Sequence, residues 1–241
     1  MPAVDPFGLS PDEAIAWFTS KGYRVSFDWR DVWKEEHARA FTVAKATQKD
    51  VLEDIRQAVT RALKNGDTLA AFRKELRPLL QEKGWWGEKE EVDPVTGEKK
   101  LVQLGSARRL RTIYETNLRQ AQAAGRWDRL ERQKERRPYA RYVCLLDGNE
   151  RPAHRAWHGT ILPLDHPWWS THAPPNGWGC RCSVQQLSDR DLERYGYSVS
   201  ESAPPTRNRA WVNERTGKRI LVPDGIDPGF DYNPGKARPL P

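Results

Sequence analysis

Apolar residues recur three or four positions apart through much of the N-terminal third of the chain, which is the period of a helix with one buried face. The clearest case runs from Thr47, an expected N-cap, to Gly66, an expected C-terminal stop. The pattern resumes after Thr68 and predicts another helix, which Pro78 should kink or shorten. The two stretches predict a helical N-terminal region.

Two further helices are expected ahead of this pair. Ser10 and the Pro-Asp-Glu that follows it form a helix start, with a capping residue, a proline in the first position and a capping-box glutamate. That helix should stop at Gly22. The next should begin near Asp28 or Asp31 and run to about Ala46.

The pattern changes to short extended runs between residues 84 and 105, where Asp-Pro and Thr-Gly dipeptides mark a turn. We expect a β-hairpin there. Helical spacing then returns from Ser106 to about Arg137, and Gly125 is the position at which this long helix could break.

The rest of the chain combines short strands, turns and one short helix. The apolar run 139–146 predicts a buried strand, inside which Cys144 is expected to be a core residue. Residues 183–187 predict a second strand, and a short helix should follow up to Gly196. Two extended runs on either side of residues 214–218 predict a second hairpin.

Composition limits the class of protein. Apolar residues make up 37% of the 241 residues, so the hydrophobic core should be modest, while eleven tryptophans argue against disorder. Three cysteines are too few for a disulfide framework, which makes a reducing compartment the default. The N-terminal residues lack the pattern of a signal peptide, and no apolar stretch is long enough to span a membrane. We therefore expect a protein that is cytosolic at synthesis.

Basic charge is concentrated in one segment. The net charge is +7, and residues 106–141 carry eleven basic and four acidic side chains. A solvated helix face would explain this surplus, and so would a surface that contacts DNA phosphates or an acidic partner. The sequence has no helix-turn-helix, zinc-finger or RNA-recognition motif, so sequence-specific binding is not expected. The candidate contacts are Arg108, Arg109, Arg111, Arg119 and Arg126.

Residues 147–182 hold four of the five histidines, two of the three cysteines and four tryptophans. His154 and His158 are four residues apart and would share one face of a helix. One of them, with a later histidine and the cysteine pair, would complete four nitrogen and sulfur ligands, the set that suits tetrahedral zinc. Such a site without a carboxylate would be structural, because the free energy of metal binding becomes folding free energy. The candidate ligands are His154, His158, His172, Cys180 and Cys182.

Two other interpretations of these residues stay open. The cysteines could pack in a strand while the histidines bind loop carbonyls, since C-x-C is less typical of zinc sites than C-x-x-C. A cysteine nucleophile assisted by His172 could support hydrolysis. The sequence has no nucleophile-loop motif, no H-E-x-x-H motif and no glycine-rich phosphate loop, so an enzyme is not expected.

The tryptophans of this segment are expected to form a small aromatic core rather than a platform that stacks nucleic-acid bases. The Pro-Pro-Asn-Gly run ahead of Trp178 predicts an extended entry followed by a tight turn. We expect a positive φ at Asn176 or Gly177.

Several segments, spread over most of the chain, carry a resemblance to a known family. They are SPDEAIAWFTSKGY, DVWKEEHARAFTVAKAT, RRLRTIYETNLRQAQAAGRW, RPAHRAWHG with HPWWSTHAPPNGWGCRC, and GIDPGFDYNPG. The chain resembles the phage Mu F-like minor head proteins, within the wider phage head-morphogenesis family that includes the SPP1 minor head protein.

The resemblance implies a minor capsid protein of a tailed phage, present in the virion head and, during assembly, in the host cytoplasm. The implied partners are the portal protein, a major capsid or scaffolding protein, and packaged DNA contacted without sequence specificity. The implied role is head assembly, together with DNA packaging or delivery. The alternatives are a non-specific DNA-binding assembly factor and a Cys/His or zinc-dependent hydrolase.

The resemblance also bears on the metal ligands. In other branches of the family, cysteine pairs stand near the positions of Arg151 and His154, ahead of an H-x-N-C-R-C ending. Arginine cannot bind a metal, so only one of these two positions can supply a ligand. The resemblance therefore implies a structural zinc ion held by His154 and by three ligands that follow it in the sequence. The implied ligands are His154, His172, Cys180 and Cys182, with His158 as the alternative.

Pattern and resemblance together predict an α+β fold in four segments. A helical N-terminal region (1–83) leads through a hairpin connector (84–105) to a long basic helix (106–137). A compact mixed C-terminal head-morphogenesis domain (138–241) holds the His/Cys cluster.

Overall fold

The structure, a computed structural model, describes residues 11–237. The chain divides into two compact units, and the division falls between Gln122 and Ala123. Helices and several small sheets occur in both units, which confirms the predicted α+β class. Among the described residues, the helices are too short or too polar to cross a membrane.

The first unit is built mainly from helices. Two long ones, α3 and α4, pack against each other, and α1 packs against α3. A two-stranded parallel sheet (β1–β2) and an antiparallel hairpin (β3–β4) complete it. The elements are α1 Asp12–Thr19, β1 Gly22–Tyr23, α2 Glu36–Arg39, β2 Ala40–Phe41, α3 Lys49–Asn65, α4 Leu69–Glu82, β3 Glu88–Val92, β4 Lys99–Gln103 and the start of α5 Ala107–Arg132.

The predicted end of α3 and start of α4 are confirmed, but the predicted Thr47 cap of α3 was wrong: Gln48 precedes the helix, and its side chain makes no capping hydrogen bond. Gly66 follows α3 in the left-handed conformation, and the Thr68 side chain accepts the backbone N–H of Ala71 at the start of α4. Of the two effects predicted for Pro78, a kink or a shorter helix, the shortening does not occur, because α4 continues through this proline. Proline has no backbone N–H and so removes one helical hydrogen bond, but burial of Leu76 and Leu80 on either side of it stabilises the helix more than this loss destabilises it. The predicted Ser10 cap lies outside the described residues.

The helix predicted from Asp28 or Asp31 to Ala46 was wrong. The two aspartates close a capping box around a single 3₁₀ turn, and a four-residue helix and strand β2 follow. Lys34 has a positive φ of 47°, which interrupts any continuous helix at that point. The apolar residues of this stretch are buried from turns and a strand, which the helical period does not distinguish from a helix face.

The second unit is organised around a three-stranded antiparallel sheet with the order β6-β5-β7. Short helices and the hairpin β8–β9 complete it. Helix α5 is continuous through Gly125, where a break was considered. The elements after α5 are β5 Tyr139–Val143, α6 Pro152–Trp157, β6 Ile161–Pro163, α7 Trp169–His172, β7 Ser183–Leu187, α8 Asp189–Tyr195, β8 Asn208–Val212 and β9 Arg219–Pro223.

The core of the second unit is rich in aromatic side chains, as predicted. Trp157, Trp168 and Trp169 are buried and meet at edge-to-face angles, with ring centroids 4.9–6.0 Å apart. Tyr142 from the central strand meets two of these rings in the same way. Trp178 is the exception, because it is 42% exposed and packs on Phe230 instead.

Replacement of Leu76 by alanine should cost the first unit about 2–5 kcal/mol of unfolding free energy, because the side chain is fully buried and leaves a cavity. The matched control is Leu79→Ala on the same helix, whose side chain is 38% exposed and should change stability by about 0.5 kcal/mol or less. Urea unfolding followed by circular dichroism measures both. Equal losses for the two variants would contradict the packing described for α4.

Candidate metal centre

Three side chains of the second unit converge on one point. His154 projects from α6, while Cys180 and Cys182 lie in the segment that leads into β7. Their ligand atoms all lie within 4.8 Å of one another. The His154 Nδ1 atom is 3.8 Å from Cys180 Sγ and 3.5 Å from Cys182 Sγ. The structure thus brings together three of the four ligands implied by the resemblance.

The local sequence explains why His154 faces the cysteines. Helix α6 begins at Pro152, which suits the first helical position, and its inner side carries His154 and Trp157. The His154 Nε2 atom is 2.9 Å from the Gly225 carbonyl, which can only accept a hydrogen bond. Nε2 therefore carries the proton, and in the neutral ring the Nδ1 lone pair points at the thiols. A histidine oriented by a carbonyl in this way is typical of metal ligands.

The two thiols influence each other strongly. The hydrogen bond from Cys182 lowers the pKa of the Cys180 thiol to about 4, although burial opposes this change. The same contact, with burial, raises the pKa of Cys182 above its usual range. Cys180 is buried and Cys182 is half-buried, and the contact between them favours ionisation of Cys180 over that of Cys182. A thiolate is the form of cysteine that binds metals and acts as a nucleophile.

A buried polar contact positions the turn ahead of Cys180. The Tyr142 hydroxyl donates to Asn176 Oδ1 at 2.9 Å, and Asn176 is completely buried. The Asn176 carbonyl accepts the backbone N–H of Asp227 at 2.9 Å. Central strand, turn and C-terminal segment are therefore connected next to the cluster.

Arg151 and Asp227 clamp the same turn. Both guanidinium nitrogens of Arg151 donate to the Asp227 carboxylate at 2.8 Å, in the two-pronged geometry that favours this pair. The carboxylate also accepts the backbone N–H of Trp178 at 2.8 Å. Arg151, which cannot bind a metal, thus supports the segment that carries the cysteines.

The turn itself differs from the prediction. The positive φ lies at Gly179, at 71°, and not at Asn176 or Gly177. Gly177 matters for another reason, since a Cβ there would lie 2.4 Å from the Asp227 carboxylate and 2.5 Å from Arg151 Nη1. A larger residue at position 177 would therefore have to displace this ion pair.

His172, one of the ligands implied by the resemblance, lies apart from the cluster. Its ring stacks on Trp168 at 4.6 Å and meets Trp157 at 5.1 Å, and Nδ1 is 2.7 Å from the Thr171 hydroxyl. Burial lowers the pKa of His172 to about 4, so the ring stays neutral within the aromatic core. The structure gives this residue a packing role.

His158, the alternative ligand, also points elsewhere. Helix α6 ends at Trp157, so the shared helical face expected from the four-residue spacing from His154 does not form. The His158 Nδ1 atom accepts the backbone N–H of Cys144 at 3.0 Å, and Nε2 faces Arg141. The ring therefore fixes the end of strand β5.

The five arginines proposed for DNA or acidic-partner contact lie in different surroundings. Arg109 is turned inward: it donates to the carbonyls of Gln103, Leu104 and Ala44, and burial lowers its pKa to about 10. The interpretation of Arg109 as a contact residue is corrected accordingly. The other four behave differently: Arg119 pairs with Glu115 at 3.5 Å, Arg126 donates to the Val184 carbonyl at 3.3 Å, and Arg108 and Arg111 are exposed.

Comparison with known proteins places the chain in a family. The family model described as Phage Mu protein F like protein matches residues 53–185, more than half of the chain. The chain belongs to the Mu F-like family. The matched range contains all three clustered ligands, and no solved structure matches the chain at a significant level.

Two curated relatives are similar over nearly the whole chain. The Putative capsid assembly protein F of Escherichia phage Mu is 41% identical over 242 residues, which cover 95% of this chain and 55% of that protein. The Mu-like prophage FluMu F protein of Haemophilus influenzae is 43% identical over 226 residues, which cover 88% of this chain and 53% of that protein. The Mu F-like chain therefore spans about half the length of the curated relatives it matches.

Replacement of Asp227 by asparagine should destabilise the second unit by about 1–2 kcal/mol, because it removes a partly exposed ion pair and weakens the acceptor for Trp178. Asp224→Asn is the control, since that carboxylate is half exposed and lies 3.8 Å from Arg209, and it should cost about 0.5 kcal/mol or less. Thermal unfolding of both variants is the measurement. An Asp227→Asn protein as stable as the parent would show that the clamp contributes nothing.

Proposed function

We propose that this chain is a minor capsid protein that acts in head morphogenesis of a tailed phage and associates with the portal and the head interior. The observation that carries the proposal is the 41% identity to a protein named a putative capsid assembly protein, over 95% of this chain. Identity at this level over almost all of the chain supports a shared role. The proposed role is structural, with assembly rather than catalysis as its outcome.

Exposed apolar side chains on the two hairpins support docking to other proteins. In the first unit, Leu101 of β4 is 66% exposed, and in the second, Leu221 of β9 is 63% exposed. Each hairpin is a two-stranded sheet of its own, so its apolar side chains and strand edges can meet a partner. The proposed partners are the portal protein and a major capsid or scaffolding protein.

The proposal is tested by purifying heads from a lysate of the phage that encodes the chain. The chain should sediment with intact heads, and Leu101→Asn should lower its incorporation several-fold, because the polar side chain weakens docking of the hairpin. Val25→Asn is the matched control, since Val25 is also exposed, at 50%, but lies outside both hairpins. A chain found only in the soluble fraction would refute the proposal, and equal incorporation of both variants would refute the role of the hairpin.

A DNA-contacting assembly factor is a second candidate, favoured by the exposed arginines on α5. Arg108 and Arg111 are three residues apart, so their side chains share one face of the helix. Two exposed guanidinium groups on one face suit contact with successive phosphates of packaged DNA.

Simultaneous replacement of Arg108 and Arg111 by alanine should weaken binding to DNA of any sequence. The slope of log affinity against log salt should fall by about 1.8, since each lost phosphate contact removes about 0.9. The control removes two exposed lysines of the same unit, Lys64→Ala with Lys99→Ala, and keeps the arginines. Fluorescence anisotropy across a salt series measures the slopes, and equal slopes for the two double variants would exclude this face.

A further inference from the structure

The pairing of β5 with β7 places the third cysteine of the chain beside the cluster. The last paired residues of these antiparallel strands are Val143 and Ser183. One step further in the same register, Cys144 stands opposite Cys182. Residues directly opposite in an antiparallel pair have Cβ atoms about 4.5–5.5 Å apart, which brings the two thiols within reach of a shared ion.

Strand alternation shows which face Cys144 occupies. Tyr142, two residues earlier on β5, is buried and pairs with Val184, which is also buried on β7. Cys144 and Cys182 therefore follow on the same inward face. Cys144 is 4% exposed and packs with the core cluster of the second unit.

The backbone and thiol of Cys144 are consistent with a ligand position. The His158 ring holds the backbone N–H of Cys144, so the end of the strand is fixed. The Cys144 thiol contacts the Leu145 carbonyl at 3.8 Å and the Cys182 side chain, and metal–sulfur bonds would replace both contacts. Cys144, His154, Cys180 and Cys182 all line one cavity of about 100 Å³.

We propose that Cys144 is the fourth ligand of a structural zinc site formed with His154, Cys180 and Cys182. The three-ligand cluster and the strand register carry this assignment, which goes beyond the proposed function in head assembly. It replaces His172 and His158, whose ring nitrogens face other partners.

The spacing of the clustered atoms fits a tetrahedral zinc ion. Bond lengths of about 2.3 Å to sulfur and about 2.0 Å to nitrogen give a nitrogen–sulfur edge of about 3.5 Å in a regular tetrahedron. The two Nδ1–Sγ distances of His154, 3.8 and 3.5 Å, lie close to this value. The Cys144 thiol lies outside this group of three close atoms and would have to turn toward them for coordination.

The donor set selects the kind of ion. Three thiolates and one imidazole are soft ligands, which favour zinc over magnesium or calcium. Four protein ligands leave no open position for water, so the site would stabilise the fold and would not activate a nucleophile. Its binding free energy would hold together strand β5, helix α6 and the turn ahead of β7.

The first experiment uses the unmodified chain, purified from cells grown with zinc and without added chelator. Elemental analysis should give on the order of one zinc per chain. Titration with an organomercurial should release that zinc as about three thiols react. A chain with less than about a tenth of one zinc, and no uptake from added zinc, would overturn the proposal.

The second experiment assigns the fourth ligand through cobalt substitution. Cobalt in the unmodified chain should show the visible bands of a tetrahedral site and absorbance from three sulfur–cobalt bonds. Cys144→Ser should lower that sulfur–cobalt absorbance by about one third and weaken metal affinity at least tenfold. His172→Gln is the control that removes the histidine implied by the resemblance, and it should keep the full cobalt spectrum.

Each of the remaining outcomes would overturn the assignment of Cys144. A cobalt spectrum that is unchanged in Cys144→Ser would exclude it as a ligand. A Cys144–Cys182 disulfide in protein purified under native conditions would show that these two facing cysteines form a covalent bond and do not bind a metal. Rapid alkylation of Cys180 in the zinc-loaded chain would indicate an accessible nucleophile instead of a closed site.

Discussion

The second unit depends on one strand and its register. Strand β5 is hydrogen-bonded to β7 along its whole length and to β6 through its first three residues, so it aligns two other parts of the chain. Because side chains alternate along a strand, a slip of one residue would turn Tyr142 outward and bring the charged Arg141 into the core. The same register aligns the end of β5 with the cysteine segment. The aromatic core and the His/Cys cluster are therefore two consequences of one pairing.

This arrangement also explains how a chain with so few apolar residues keeps an irregular segment in place. Between β6 and β7 the chain runs mostly in turns, and its backbone groups need partners that a regular sheet would provide. Buried polar contacts supply several of them: Tyr142 binds Asn176, and the Asp227 clamp binds the next turn. Buried polar groups stabilise a fold only when nearly all are satisfied, so removal of one partner costs more than the contact contributes. The zinc site proposed above would hold the same segment between β6 and β7, at Cys180 and Cys182, just after the turn that these hydrogen bonds fix.

The sequence predicts the local features of this protein well and the non-local ones less well. Helical spacing and end signals predict α3 and α4, because caps such as Thr68 and Gly66 act over a few residues. The same spacing fails between Asp28 and Ala46, where turns and a short strand bury the apolar residues. Arg109 shows a further limit, since an arginine that binds three carbonyls reads in the sequence as surface charge.

The candidate site shows the same division between local and non-local information. His154, Cys180 and Cys182 stand out as residue types, whereas Cys144 reads as one more apolar position in a strand. A signal was present, because YARYVC and CRCSVQQL place a cysteine at matching ends of two strands that alternate in the same phase. This alternation places the two cysteines side by side only once the two strands are known to pair. The paired residues are about forty positions apart in the sequence, so the pairing cannot be read from local pattern. His158 misleads for the opposite reason, since a helix that ends one residue early removes the spacing that pointed to it.

Family membership and the geometry of the second unit bear on different questions. The matched family range, residues 53–185, covers parts of both units, so the shared sequence is not confined to the cluster. Within the second unit, the described contacts make a rigid base: an aromatic core, a clamped turn and a fixed strand end. The hairpin β8–β9 belongs to that unit and carries exposed apolar side chains. Under the proposed role in assembly, a base that does not deform would lower the entropy lost when the hairpin docks, so contacts far from the hairpin would still strengthen the docked state.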